Sequence, residues 1–247
     1  MISGVQLFEY LDGVMPFDTQ EKWDNSGLLV DSGTQPTNRV LVCLDVTKAA
    51  VERAVSERCG IILSHHPVIF SPVTQLESDS VLRTIIKNNI TVISAHTNFD
   101  RYEYGTCYNL MELLGFTGQV EYYGLGLGMM LPDQCTLQDI LTKIKQKVDT
   151  MVQYTDGNTK IHKIFLVAGS GKGMAKDVME SGADCLITGE SGYHDMLDLK
   201  EKGISTICLG HDVSENISVE PLAKLIQKHF EDIEVIPLVQ KSIAEFC

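Results

Sequence analysis

Two stretches of this chain align on each other without a gap. Arg39–His66 (RVLVCLDVTKAAVERAVSERCGIILSHH) lies over Lys163–Glu190 (KIFLVAGSGKGMAKDVMESGADCLITGE), an offset of 124 residues. A second repeat follows each: His-x3-acid occurs as His96…Asp100 and as His211…Glu215, 115 residues apart, just past an apolar, β-branched run. The nine-residue difference between the offsets falls in the loop after the second strand, shorter in the later copy. A chain that repeats itself in this way is constrained to fold one α/β unit twice. With imidazole and carboxylate at the same strand exit in both copies, the halves can assemble one shared metal site.

The remaining pattern fits that constraint. Apolar spacing at Val5, Leu7, Phe8, Leu11 and Val14 predicts a helix over 3–15, stopped by Pro16. A polar turn over 21–27 leads into a short strand and holds the only tryptophan, Trp23, read on its chemistry as a half-buried packing residue. Strands over 40–44, 61–63 and 91–95 alternate with helices over 48–58 and 81–87, the signature of βαβ units on a parallel sheet. After a helix over 108–114, residues 117–135 carry Gly118, Gly124, Gly126, Gly128 and Pro132 and read as a boundary with little regular structure. Alternation then resumes with helix 137–148, strand 164–167, helix 174–180, strand 185–187, helix 194–200 and strand 206–209. A helix near 221–229 and a strand over 234–238 close the chain. The expected domains are a first α/β half over 1–120 and a second over 121–247, with the last strand free to pair back onto the first half.

Composition sets outer limits. A chain of 247 residues, 44% apolar and 21% charged, can bury a sizeable core. Its net charge of −13 disfavours nucleic acid as a partner, because such binding rests on neutralising phosphates. Seven scattered cysteines, with no C-x2-C pair, read as reduced thiols of a cytoplasmic protein. The N-terminus lacks a basic leader, and no run of about twenty apolar residues suggests a membrane span.

Ligands of open parallel sheets gather at the carboxyl ends of the strands. His65, His66, His96, Asp100, His211 and Glu215 all fall at such exits. Neutral imidazoles with carboxylates suit zinc, iron, manganese or cobalt, and the lack of clustered thiolates argues against a structural Cys-rich site. Six donors exceed the needs of one tetrahedral ion and suit two ions about 3.5–4 Å apart. Adjacent His65 and His66 would face opposite ways within a strand but can reach different ions at its exit. Ser218 and Pro221 place the next helix later, leaving His211 and Glu215 on a loop. Glu190 and His194 are either neighbours of the ligands that handle protons or polar residues of a helix-starting turn. Gly169-Ser170-Gly171-Lys172-Gly173 departs from the P-loop pattern and reads as a tight strand-to-helix turn, with phosphate contact the lesser option. Asp45-Val46-Thr47 at the matching first-half turn reads as a cap or a polar pocket wall. No G-x-S-x-G elbow or paired Cys–His pattern supports nucleophilic catalysis.

These pieces resemble the Nif-three-like dinuclear metal-centre family, known as type 2 GTP cyclohydrolase I homologues. The resemblance rests on Trp23-Asp24-Asn25-Ser26-Gly27-Leu28, Asp45-Val46-Thr47, Ser64-His65-His66-Pro67, His96-Thr97-Asn98-Phe99-Asp100, Gly124-Leu125-Gly126, Ala168-Gly169-Ser170-Gly171, Gly189-Glu190 with His194-Asp195, and Gly210-His211 with Glu215. It implies two interlinked α/β halves in the short form, without an inserted domain. It also implies two divalent ions held by His65, His66, Asp100, His211 and Glu215, with His96 as ligand or close neighbour, and assembly as a homohexameric ring. The activity it implies is metal-dependent hydrolysis of a small molecule, with a nucleotide as the candidate substrate, although no independent guanine-reading motif is present. The alternative is a non-enzymatic metal-binding scaffold or partner-binding ring.

Overall fold

The computed structural model describes residues 1–33, 36–157 and 160–244. The chain divides into two compact units: Met1–Tyr102 with Ser218–Lys241, and Glu103–Ile217 with the residues from Ser242 on. The chain thus leaves the first unit at Tyr102 and re-enters it at Ser218.

The first unit opens with α1 (Gly4–Val14). Its start is fixed by a reciprocal cap: the Ser3 hydroxyl accepts from the Gln6 backbone amide at 3.1 Å, and Gln6 Oε1 accepts from the Ser3 backbone amide at 2.8 Å. Then follow β1 (Gly27–Val30), β2 (Arg39–Cys43), α2 (Lys48–Ser56), β3 (Ile61–Ser64), α3 (Val81–Lys87), β4 (Thr91–Ser94) and the single turn α4 (Thr97–Asp100). Chain-order numbering makes the returning segment α10 (Val219–His229) and β11 (Glu234–Leu238). The sheet order is β1-β4-β3-β2-β11, with β1 antiparallel to β4 and the other pairs parallel. Both faces of the central strands are covered. Val40, Val42, Ile61, Leu63 and Ile93 pack in the cluster that holds α1 and α10, while Leu41, Cys43, Ile62 and Val92 pack in the cluster of α2 and α3. Hence these strands are continuously apolar rather than alternating.

The second unit contains α5 (Thr106–Leu114), β5 (Gln119–Tyr123), β6 (Gly126–Cys135), α6 (Leu137–Lys147), β7 (Gln153–Thr155), β8 (Ile161–Ser170), α7 (Ala175–Glu180), β9 (Cys185–Glu190), α8 (Tyr193–Glu201), β10 (Ser205–Cys208) and α9 (His211–Asn216). Its sheet order is β5-β6-β8-β9-β10-β7, and β8, β9 and β10 are parallel. The repeat seen in the sequence is therefore β2-α2-β3 in one unit and β8-α7-β9 in the other, as an internally duplicated α/β fold requires.

The glycine-rich stretch 117–135 is not an irregular boundary. It is the antiparallel hairpin β5–β6, turning at Gly124. Gly126 lies flat under Phe165, where a Cβ would come within 2.3 Å of the ring, so packing on β8 rather than chain flexibility accounts for that glycine.

Cys43, Cys59, Cys107, Cys185 and Cys208 are buried free thiols and Cys135 is half-buried; Cys247 lies outside the described residues. Burial pushes the Cys59 and Cys208 thiols up to about 11, so they stay protonated near neutrality. Among the described residues, no helix is long and apolar enough to cross a membrane.

Candidate metal centre

Sheet register alone lines up the first group of donors. Val40 pairs with Ile61 and Ile61 with Thr91 along β2, β3 and β4. The ladder continues past the strand ends: the His65 and His66 amides donate to the Cys43 and Leu44 carbonyls at 3.1 and 3.0 Å, and the Ala95 amide to Ser64 at 2.9 Å. Counting on in the same register puts Asp45, His66 and His96 side by side at three adjacent exits.

There the rings of His65, His66 and His96 converge. Their centroids are 5.0 to 5.5 Å apart, and one ligand atom from each lies within 4.8 Å of the others. His65 is only 3% exposed. Each Nδ1 is held by an oxygen: His65 by the Ala95 carbonyl at 2.9 Å, His66 by Asp45 Oδ1 at 2.8 Å, and His96 by Asp24 Oδ1 at 2.8 Å. A carbonyl can only accept, so His65 carries its proton on Nδ1, and the neutral ring presents the Nε2 lone pair. Metal-binding histidines are oriented by this kind of contact. Asp100, at the end of α4, brings Oδ1 to 3.6 Å from His65 Nε2.

Asp24 is the buried anchor of the group. Its carboxylate accepts from Thr97 N at 3.0 Å and from Ser26 Oγ at 2.8 Å, besides the His96 ring. Burial by itself would raise its pKa, but the hydrogen bonds from His96 and Thr97 outweigh that and hold the carboxyl well below the usual carboxylate range. Sequence alone marks Asp45 only as a cap or polar pocket wall and Asp24 only as part of the Trp23–Leu28 piece, with no ring-holding role for either. The register just described is the signal that finds Asp45, and nothing local in the sequence marks Asp24 for that role.

The second group sits at the corresponding exits of the second unit. The ladder again runs on, with the Leu209 and Gly210 amides donating to Thr188 and Gly189 at 2.9 and 2.8 Å. His211 and Glu215 do not lie on a loop as expected; they are one turn apart on α9, which abuts α10 with only Ile217 and Ser218 between. His211 Nδ1 lies 3.2 Å from Glu190 Oε1, and Nε2 lies 3.2 Å from Glu215 Oε2. Two atoms bound to one cation at about 2.0–2.1 Å are themselves roughly 3–3.4 Å apart, so this spacing suits joint ligation. Glu215 is 4% exposed.

Gly169 makes the carboxylate's burial possible. It is left-handed, and a Cβ there would stand 1.9 Å from Glu215 Oε1. Gly189 similarly leaves room for α9, since its Cβ would meet Ser214 Oγ at 2.5 Å, and Ser214 Oγ in turn accepts from the Gly169 amide at 2.8 Å. The glycines of 169–173 thus include one that seats a carboxylate. His194 is exposed in the first turn of α8, with its ring against Tyr193. Trp23 departs from its expected half-buried state and is 56% exposed.

Oriented imidazoles and nearby carboxylates fit divalent cations in type and spacing. Fold and donors together define a duplicated α/β protein with histidine–carboxylate groups at its strand exits. The model of the Duf34/NIF3 (NGG1p interacting factor 3) family matches residues 3–242, and the chain belongs to that family. It is 33% identical over 217 residues to a Helicobacter pylori protein named GTP cyclohydrolase 1 type 2, covering 85% of this chain and 86% of the relative. A Clostridium acetobutylicum protein named GTP cyclohydrolase 1 type 2 homolog is 29% identical over 236 residues, covering 90% and 88%. Among solved structures, Staphylococcus aureus hypothetical protein SA1388 superposes with a TM-score of 0.89 at 29% identity, covering 98% of both chains.

Proposed function

We propose that this protein is a metal-dependent hydrolase that binds two divalent ions through His65, His66, His96 and Asp100 of the first unit and His211 and Glu215 of the second. The observation that carries the reading is the set of three imidazoles, each fixed through Nδ1 by an oxygen, with ligand atoms converging within 4.8 Å. Zinc, iron and manganese all suit these donors. When bound, such ions supply Lewis-acid chemistry, polarising a substrate oxygen and making water nucleophilic at neutral pH.

The chain's own residues do the rest. Asp45, Asp24 and the Ala95 carbonyl hold the three rings in place. Glu190 positions His211, and proton transfer falls to Glu190 or to His194, which stands exposed in the first turn of α8. The substrate class is a nucleotide, and GTP is the first to test, because the Helicobacter pylori relative is named for it. Assembly as a homohexamer belongs to the same proposal and rests on the family resemblance.

The test loads purified protein with zinc, manganese or iron, measures metal content, and follows GTP and simple phosphoesters beside the His65→Ala/His211→Ala variant. The expected result is about two ions per chain and hydrolysis of GTP that the variant loses. Hydrolysis at the parent rate by the variant, or no hydrolysis by metal-replete protein, overturns the enzyme reading.

A further inference from the structure

The chain's only tryptophan leaves 56% of its surface in solvent, and Phe70 leaves 52%. Both rings stand at the rim of the imidazole group. Their centroids are 6.1 Å apart with planes tilted by 41°, so a flat ring stacked on one meets the other at an angle, and each meets the His96 ring near-perpendicularly, Trp23 at 6.0 Å and Phe70 at 6.4 Å. Exposing two large aromatics side by side forfeits hydrophobic stabilisation that burial would bring.

A loose chain does not explain this exposure. The Asp24 amide donates to the Glu21 carbonyl at 2.9 Å, closing the turn around Trp23, and the Asp24 carboxylate is locked to Ser26 and Thr97. Asn25 Nδ2 donates to the Ile69 carbonyl at 2.5 Å, tying the tryptophan's turn to the residue before Phe70. The backbone segments that carry the two rings are therefore held beside the histidines before any ligand arrives, which lowers the entropic cost of binding.

We propose that Trp23 and Phe70 form a stacking subsite for a planar heteroaromatic ring, the base of a nucleotide whose reacting end lies at the histidines. The assignment of the reacting end rests on the hydrolase reading above; the stacking itself needs no turnover. An aromatic face rewards any flat π-system, and loss of one base–aromatic stack weakens binding roughly 5- to 100-fold. A purely phosphate or sugar ligand offers no π-face for either ring to stack on.

A single tryptophan makes the test direct, because all indole emission comes from Trp23. The metal-loaded protein is titrated with GTP, guanosine and ribose 5-phosphate while that emission is followed. GTP and guanosine are expected to quench it saturably and ribose 5-phosphate to leave it unchanged. Phe70→Leu should raise the apparent Kd for guanosine roughly 5- to 100-fold with unchanged metal content. Trp23→Leu, followed by calorimetry, should do the same. Equal responses to guanosine and ribose 5-phosphate, no response to either, or blue-shifted emission in the free protein that marks Trp23 as covered would each overturn the subsite. Quenching by guanosine without GTP turnover sinks only the hydrolase reading. GTP turnover with silent tryptophan sinks only the subsite.

Discussion

At the scale of single residues, the least conspicuous groups do much of the positioning. Asp45 has no metal-ligand spacing of its own, yet it fixes the His66 ring at 2.8 Å. Removing it takes away the carboxylate that orients this ring, so Asp45→Ala should weaken divalent-metal binding about 10- to 100-fold without unfolding the chain. Competition with a colorimetric chelator measures this; unchanged affinity would mean that His66 is held by something else or is not a ligand. The candidate donors stand out in the sequence because histidine and carboxylate have distinctive chemistry and recur at matched positions. Asp24 does not, because a buried carboxylate looks like any turn aspartate until Thr97 and His96 are seen to close on it. Trp23 was misread for a related reason: its size argues for burial, and only the folded turn shows its ring turned outward.

At the scale of elements, periodicity found the strands β2, β3, β4, β8, β9 and β10 and the helices between them, since apolar runs broken by polar turns leave few alternatives. It failed where glycine carried a packing role. The β5–β6 hairpin looked irregular because Gly126 and Gly128 make room for Phe165 and Tyr123, a tertiary demand that no local pattern reports. It failed again at α9, whose six residues lie too close to α10 for the two to separate by pattern. The seat of α9 on β8 and β9 is itself testable. Gly169→Ala places a methyl where Glu215 Oε1 now lies, and its left-handed backbone, at φ 63°, adds strain. The variant should lose metal affinity at least tenfold, as loss of an orienting contact does, while far-UV circular dichroism stays that of the parent. Full affinity in a folded Gly169→Ala protein would remove Glu215 from the donor set.

At the scale of the whole molecule, duplication explains why one kind of donor pair appears in both units. Strand exits are where backbone ladders end and side chains of neighbouring strands point into common space, so a copied βαβ unit copies its ligand positions. What the copies do not share is the kind of carboxylate that orients each ring: aspartates, Asp45 and Asp24, hold His66 and His96 in the first unit, whereas a glutamate, Glu190, holds His211 in the second. Metal bound at such positions links donors far apart in sequence, and the unfolded chain offers no preformed set of them. Metal must then stabilise the fold by mass action, by about 2.7 kcal/mol at a free concentration one hundred times Kd. For a chain of this length that corresponds to a rise in Tm of roughly 5–11 °C. Calorimetry of metal-loaded protein, of protein stripped with chelator, and of stripped protein resupplied with zinc or manganese measures the shift. It should vanish on stripping, return on resupply, and be absent throughout in the His65→Ala/His211→Ala variant. A Tm indifferent to chelator and metal, in a protein whose metal content did change, would mean that the ions bind folded and unfolded chains alike, and that these histidines and carboxylates form no site built by the fold.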